Sequence, residues 1–211
     1  MPKIETLVFN PFQVNTYIVH DETKECVIID PACHGRHEEQ QLADFIKKND
    51  LNPVAVLFTH FHVDHILGSN FVCREYGLKP LIHPDSLQFL EASVMQGQVY
   101  GFEVEEPILP ESFLEEGQVF TFGNQKFEVL LVPGHAAGSL CFYHSEGGFV
   151  VVGDVLFNGS IGRTDLPTGD MELLLSGISS KLFTLPDSVT VYPGHGSETS
   201  IGFEKANNPF F

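Results

Sequence analysis

Runs of apolar residues bounded by turn residues recur along the chain and predict its strands. Near the N-terminus, "IETLVF", "NTYIVH" and "CVIID" are short segments of this kind. Residues 53–58, "PVAVLF", form a continuous apolar run, which is typical of a strand buried on both faces. Further on, "KFEVLLV", "GGFVVVGD" and "SVTVYPGHG" show the same character. These segments predict strands in both halves of the chain.

Helical periodicity appears between the strands. In "EEQQLADFIKKND", Leu42, Phe45 and Ile46 fall on one face of a helix. "NFVCREYGL" and "PDSLQFLEASVMQ" are also predicted to be helical, and we expect the region 84–116 to cover a site. Because no linker or low-complexity stretch interrupts the pattern, we predict one domain over residues 1–211 of the α/β (α+β) class.

Ligand-type side chains follow four of the apolar segments at or just beyond their C-terminal ends. In layered α/β proteins, this edge of a sheet is where ligands bind. A glycine stands beside each of the three later side chains (Gly134, Gly153 and Gly194), and we expect it to let the backbone turn sharply. The side chains are His60, His62, Asp64 and His65 in "THFHVDH", followed by His135, Asp154 and His195.

Imidazole and carboxylate groups together favour Zn²⁺, Fe or Mn²⁺ over Ca²⁺. His60 and His62 alternate in an extended segment, whereas Asp64 and His65 begin the next helix and approach from a second direction. A lone Pro-Gly-His turn is usually only a turn, and an aspartate after a strand is often a helix N-cap. The prediction of a metal site therefore depends on the repetition of such residues at one edge.

Charge and composition exclude several other classes of function. The chain has 11 basic and 28 acidic residues, a formal net charge of −17, which disfavours binding to nucleic acid or to anionic membranes. No apolar run approaches the ~20 residues that span a bilayer. The N-terminus has no basic start followed by an apolar core, and the four cysteines form no CxxC pair. We expect a cytoplasmic protein.

The motifs "THFHVDH", "VPGHAAGSL", "VVGDVLF" and "YPGHG" resemble, in order, the signature motifs of the metallo-β-lactamase superfamily. The opening "NPFQVNTYIV" and "VIIDPA" resemble the first strands of that family. The resemblance implies a four-layer αββα sandwich built from two similar halves, with metals at one edge of the paired sheets.

The resemblance also implies how the ligands are shared between two divalent cations. Zn²⁺ is expected first, with Fe or Mn²⁺ as alternatives, and each cation should keep an open position for water. Since every ligand position is filled, two metals are predicted rather than one. The first metal takes His60, His62 and His135, the second takes Asp64, His65 and His195, and Asp154 bridges them.

Within the superfamily, "GSIGRTDLPTGD" and "SETSIGFEKANNPF" resemble the glyoxalase II-like hydrolases (hydroxyacylglutathione hydrolases). The resemblance implies hydrolysis of an S-acyl-glutathione-type thioester by a metal-bridging hydroxide, which Asp64 would orient. A small-molecule thioester is thus the expected partner. Typical members carry a C-terminal helical extension that contacts glutathione, which these 211 residues do not include, so the acyl and thiol parts stay open.

Other functions remain open at this point. The "GRTD" segment also resembles persulfide dioxygenases, which hold a single iron through residues matching His60, His135 and Asp154. A non-catalytic metal-binding module is a second alternative, and a secreted β-lactamase is disfavoured by the N-terminus. Arg163 has two interpretations: it binds a substrate carboxylate through its guanidinium, or it pairs with Asp165 or Asp154 and holds its loop.

Overall fold

The computed structural model describes residues 2–211, so Met1 of the predicted domain lies outside it. The first sheet has the strand order β1-β2-β3-β4-β5, and its three N-terminal strands and the run at 53–58 confirm the predicted segments to within a residue or so. Strands β1 to β3 are antiparallel, and β3, β4 and β5 are parallel. The strands are β1 (Lys3–Phe9), β2 (Val14–His20), β3 (Glu25–Ile29), β4 (Asn52–Leu57) and β5 (Pro80–Leu81).

The second sheet has the order β13-β12-β9-β8-β7-β6, and a separate hairpin is formed by β10 and β11. Only β9 and β12 are parallel neighbours in it. The sequence pattern identified β7, β9 and β12 but missed β6, β8 and β13. The strands are β6 (Val119–Phe122), β7 (Gln125–Leu131), β8 (Leu140–His144), β9 (Phe149–Gly153), β10 (Leu156–Phe157), β11 (Ser160–Ile161), β12 (Thr190–Pro193) and β13 (Thr199–Ser200).

The predicted helices are present, and two more follow in the second half of the chain. On the first helix Leu42 and Ile46 are buried, and Phe45 packs partly buried against the same core. No helix in residues 2–211 is long and apolar enough to cross a membrane. The helices are α1 (Gly35–Lys48), α2 (Val63–Ile66), α3 (Ser69–Tyr76), α4 (Leu87–Tyr100), α5 (Met171–Ser180) and α6 (Ile201–Asn207), with 3-10 turns at Pro84–Ser86 and Leu182–Thr184.

Alternation along the central strands divides the core into three layers. On β9, Val151 packs between the two sheets, whereas Val150 and Val152 face α5 and α6. After β4, Phe58 continues the face that packs on α1 and α3, while Leu57 points between the sheets. Because both faces are covered, these strands need no polar face. The layers run helix, sheet, sheet, helix, which confirms the predicted αββα sandwich.

A buried carboxylate joins the two sheets at the end where β2 finishes and β7 begins. Asp21 accepts hydrogen bonds from the Thr23 backbone N–H (2.9 Å) and hydroxyl (2.5 Å), the Asn124 N–H (2.8 Å) and the Gln125 amide (2.7 Å). Burial opposes ionisation, but these donors outweigh it and hold the pKa of Asp21 well below its ordinary value. The ionised form therefore stabilises the fold.

We expect Asp21→Asn to destabilise the protein by about 2–3 kcal/mol at pH 7, because an amide cannot accept all of these bonds. A depressed pKa stabilises the folded state above the unfolded pKa, about 4 for aspartate, and this contribution is lost as the pH falls towards the folded value. The difference in free energy of unfolding between wild type and variant should therefore be constant from about pH 5 upwards and shrink below about pH 4. Urea unfolding across this range measures it.

Glu128→Gln is the matched control, since Glu128 is an exposed acid on β7 and its change removes the same charge. It should leave the free energy of unfolding nearly unchanged. An Asp21→Asn variant as stable as this control at pH 7 would contradict the stabilising role of the carboxylate.

Candidate metal centre

The C-terminal ends of parallel strands bring the predicted ligands to one edge of the sandwich. In the first sheet Ile29 pairs with Leu57, and in the second Pro193 pairs with Gly153, so the segments after these strands are neighbours. Two backbone hydrogen bonds join the sheets at this edge, from Asn15 N–H to Gly194 O and from Leu140 N–H to Thr59 O, both 2.7 Å. The four ligand-bearing segments therefore meet in one place.

Two of the glycines beside the ligands are required for different reasons. Gly153 has φ +53°, and a Cβ there would lie 2.2 Å from the Thr59 hydroxyl oxygen. Gly194 was expected to permit a sharp turn, but its φ is not positive. A Cβ on Gly194 would lie 2.2 Å from Asp154 Oδ1 and 2.7 Å from the His65 ring. Gly194 is thus needed for space beside the ligands, not for a turn.

The structure brings together all seven predicted ligand side chains. His60, His62 and His135 form one group whose ligand atoms lie within 4.8 Å of one another, with His62 Nδ1 3.0 Å from His135 Nε2. Asp64, His65 and His195 form a second group of the same kind, with 3.3 Å between the His65 and His195 Nε2 atoms.

Asp154 lies between the two groups. Its Oδ1 is 3.4 Å from His65 Nε2, and its Oδ2 is 3.5 Å from His195 Nε2 and 3.8 Å from His135 Nε2. One carboxylate therefore faces ligand atoms of both groups, which is the arrangement that a bridging ligand needs.

Two buried polar atoms at the centre have no hydrogen-bond partner among residues 2–211. They are His60 Nε2 and Asp154 Oδ1. A buried polar atom without a partner costs free energy, and both atoms are of the kind that binds a cation through a lone pair. The donor set therefore fits a metal centre, with His60 on the side of the first group and Asp154 between the groups.

Hydrogen bonds from the ring nitrogens that face away from the centre orient the histidines, as is usual for histidines that bind metals. In four of them Nδ1 donates outwards, which leaves Nε2 to face the centre. The acceptors are the Thr59 hydroxyl for His60 (3.1 Å), Asp30 Oδ2 for His65 (3.0 Å), the Arg163 carbonyl for His135 (2.8 Å) and the Phe12 carbonyl for His195 (3.0 Å).

Asp30 is the main supporting residue that the sequence analysis did not single out. Its Oδ1 accepts from the Thr59 N–H (2.7 Å), and its Oδ2 accepts from the Thr59 hydroxyl (2.6 Å) and from His65. Asp30 also lies close to His60 and His65. Since both of its oxygens are already engaged, it supports the centre rather than forming a third group. Its position directly after an apolar strand, like that of Asp154, was the available signal.

Burial keeps three of the histidines neutral. Desolvation, together with the neighbouring imidazoles, lowers the pKa of His60 far below its ordinary value and that of His62 to about 4. Burial also lowers the pKa of His135, against the opposing charge of Asp154. A neutral imidazole is the form that binds a metal.

The carboxylates have the opposite electrostatic environment. Burial would raise the pKa of Asp64 and Asp154, but the charge of His65 and the hydrogen bond from His195 outweigh it and lower both. Burial would lower the pKa of His65 and of His195, but the neighbouring carboxylates outweigh it. They raise the pKa of His65 well above its ordinary value and that of His195 to about 9. The two carboxylates that favour protons on His65 and His195 would equally stabilise a cation bound there in place of those protons.

A cavity of about 390 Å³ opens over five of these side chains: His62, Asp64, His135, Asp154 and His195. The rest of its wall is mostly apolar, from Phe12, Leu166, Pro167 and the α4 residues Phe89, Met95, Val99 and Tyr100. The α4 part of the region 84–116 therefore covers the site, as predicted. A larger cavity of about 760 Å³, between α1, α3 and residues 103–107, contains none of the seven ligands.

Arg163 lies on the wall of the 390 Å³ cavity, and its guanidinium pairs with Asp165 rather than with Asp154. Nε and Nη2 each donate to one oxygen of Asp165 at 2.7 Å. Both side chains are exposed, so this pair contributes little stability. The loop is also tied to the centre through the Arg163 carbonyl, which accepts from His135.

We expect Asp30→Asn to weaken zinc binding about 10- to 100-fold, as loss of a supporting partner typically does. Asn tolerates the left-handed backbone of Asp30 (φ +50°), but its amide cannot accept from both Thr59 and His65. Competition with a chelator measures the affinity. Asp21→Asn, a buried aspartate at the opposite edge, is the control and should bind zinc like the wild type. Unchanged affinity in Asp30→Asn would remove Asp30 from the support of the centre.

Comparison with known proteins agrees with this geometry. Hydroxyacylglutathione hydrolase GloC of Haemophilus influenzae is 37% identical over 209 residues, which cover 98% of this chain and 97% of that protein. Among solved structures, BLEG-1 B3 metallo-beta-lactamase superposes with a TM-score of 0.91 (33% identity, 99% of both chains). TTHA1623 in a di-iron-bound form superposes with 0.88 (36% identity, 98% and 100%). The model of the metallo-beta-lactamase superfamily matches residues 9–195, and the chain belongs to that superfamily.

Proposed function

We propose that this protein is a hydrolase that uses two divalent cations to cleave a thioester of the S-acyl-glutathione type. The observation that carries the proposal is the convergence of seven ligand-type side chains beneath a cavity large enough for a small molecule. The similarity to the H. influenzae protein, which is named for this activity, supports the choice of substrate class.

The two groups of side chains would each hold one cation. His60, His62 and His135 would bind the first, Asp64, His65 and His195 the second, and Asp154 would bridge them. Zn²⁺ is the expected metal, and the di-iron form of TTHA1623 supports iron as the alternative. When bound, two such cations lower the pKa of water towards neutrality and polarise the carbonyl of the substrate.

Asp64 is the residue of this chain that we assign to handling the proton. Its carboxylate lies on the wall of the cavity, and its lowered pKa keeps it ionised at neutral pH. An ionised carboxylate accepts a hydrogen bond from the attacking water and thereby directs the lone pair of the water oxygen towards the acyl carbon. Asp64 would therefore both complete the second group and orient the nucleophile.

Hydrolysis adds the water oxygen to the acyl carbon and breaks the carbon–sulfur bond. The products are a carboxylic acid and a thiol, so the proton removed from water can be returned to the departing sulfur. The apolar wall from α4 limits access of bulk water to the reacting atoms. Arg163, at the same wall, would bind a carboxylate on the thiol half through its guanidinium.

The similarity to BLEG-1, named as a B3 metallo-beta-lactamase, makes hydrolysis of a β-lactam amide the second candidate. The same centre could polarise a lactam carbonyl, and the cavity has room for a bicyclic ring. The reactions differ in the bond that breaks, carbon–nitrogen instead of carbon–sulfur, so parallel assays separate them.

The test combines metal analysis with parallel assays on protein reconstituted with Zn²⁺ or Fe²⁺. We expect about two metals per chain and hydrolysis of S-lactoylglutathione or another S-acyl-glutathione, followed as release of free thiol. A single iron with oxygen uptake on glutathione persulfide would replace the proposal with a dioxygenase. Turnover of nitrocefin alone would replace it with a β-lactamase, and inactivity on every substrate would favour the non-catalytic module.

We expect Asp64→Asn to lower kcat for the thioester by roughly 100-fold or more, because the amide keeps the shape but cannot accept the proton. Metal content of the same preparation separates loss of the base from loss of a cation. Asp44→Asn, at an exposed position on α1, is the charge-matched control and should keep full turnover. Near-normal kcat with full metal content would exclude Asp64 from the mechanism.

We expect Arg163→Ala to raise KM for a glutathione thioester by roughly 10- to 150-fold, the equivalent of about 1.5–3 kcal/mol. KM for a small neutral thioester should not change. Asp165→Ala removes the other half of the exposed pair and should spare KM for both substrates. If both variants lower the melting temperature and impair both substrates alike, Arg163 only holds its loop.

A further inference from the structure

The outer wall of the cavity carries large apolar side chains that are exposed to solvent. Met95 is 63% exposed and Val99 is 76% exposed, and both line the cavity. Because they are four residues apart on α4, they lie on the same face of the helix. Phe12 continues this surface and packs edge-to-face on Tyr100, with 6.0 Å between ring centroids.

The orientation of α4 is fixed by its opposite face. Leu90, Ser93 and Gly97 are buried. A Cβ on Gly97 would lie 2.5 Å from Val104 Cγ2, so the helix is tightly docked on the segment that follows it. Rolling the helix to bury Met95 and Val99 would break these contacts. Their exposure over the cavity is therefore a constant feature of the fold.

Few polar side chains on the described wall could bind the substrate outside the candidate ligands. They are Gln96, Tyr100 and Arg163, and the proposed function assigns Arg163 to the thiol half of the substrate. A hydroxylated acyl group such as lactoyl would find few hydrogen-bond partners here. Contiguous exposed apolar surface beside a site usually marks what the ligand covers.

The geometry points to an apolar acyl group as the substrate portion that the Met95, Val99, Tyr100 and Phe12 surface recognises. This inference rests on the proposed function, in which the thiol half is polar and reaches Arg163, so the acyl half is left for the apolar wall. The preferred substrates would then be thioesters of medium-length alkanoic acids rather than of small hydroxy acids.

The first experiment measures kcat/KM for the acetyl, propionyl, butanoyl and hexanoyl thioesters of glutathione, each corrected for its rate of alkaline hydrolysis. Burial of each added methylene should raise kcat/KM by about three- to fourfold. S-lactoylglutathione differs from the propionyl thioester by one hydroxyl. After the same correction, its kcat/KM should be lower than that of the propionyl thioester. A flat or falling series would overturn the inference.

The second experiment locates the recognition. The double variant Met95→Ser, Val99→Ser should reduce the gain per methylene, measured as the ratio of kcat/KM between the hexanoyl and acetyl esters, by at least half. Both side chains are exposed, so we expect little loss of stability. The matched control is Met171→Ser, at an exposed methionine on α5 that does not line the cavity, and it should retain the full gain. Equal gains in both variants would overturn the assignment to α4.

Binding separates failure of this inference from failure of the proposed function. S-methyl-, S-propyl- and S-hexylglutathione are thioethers that cannot be hydrolysed, and calorimetry gives their affinity for the wild-type protein. If affinity rises with chain length but no thioester is hydrolysed, the apolar surface does recognise alkyl chains and the proposed reaction is overturned. Hydrolysis of the thioesters without any rise in thioether affinity would retain the reaction and overturn the inference.

Discussion

The burial of ionisable side chains at the shared edge of two sheets is the constraint on which the rest of the structure depends. Asp30 is 1% exposed and His65 fully buried, and Asp154 lies beside them. Isolated buried charges are too costly to persist. They are accommodated here because each faces an opposite charge or a donor: Asp30 takes Thr59 and His65, and Asp154 faces His65 and His195.

This requirement explains how the two sheets are joined. Links across the sandwich at the ligand edge include the Asn15 side-chain amide, which donates to Pro193 O and Gly196 O (both 3.0 Å), and the Tyr17 hydroxyl, which donates to Pro193 O (2.5 Å). They hold the turn that carries His195 against the first sheet, in which β4 leads into His60, His62, Asp64 and His65. Asp21 makes the corresponding link at the opposite edge. The sandwich is therefore tied at both ends, and the ligand edge holds two of the buried polar atoms that lack a partner within residues 2–211, His60 Nε2 and Asp154 Oδ1.

The cavity has two parts, a polar floor formed by the ligand side chains and a mostly apolar wall formed by other segments. The floor is held by strand ends and by partners behind each histidine, whereas the wall comes from α4, residue Phe12 and the loop at 163–167. Loops and covering helices change more readily than strand ends, because fewer buried backbone bonds depend on them. Proteins similar to this chain can thus act on different substrates, as the names of GloC and BLEG-1 indicate.

The sequence by itself determined which strands are buried on both faces and which side chains stand at their C-terminal ends. Those features are local: the apolar run of β4 and the residues after it lie within a dozen positions of one another. Only the tertiary structure decided the role of Asp30, the need for space at Gly194, the partner of Arg163 and the exposed face of α4. Three of these depend on contacts between segments, such as that of Asp30 with His65 across 35 positions, whereas Arg163 pairs with Asp165, only two positions away, rather than with Asp154. Sheet register and helix docking decide such contacts, and the local pattern of apolar and polar residues does not encode them.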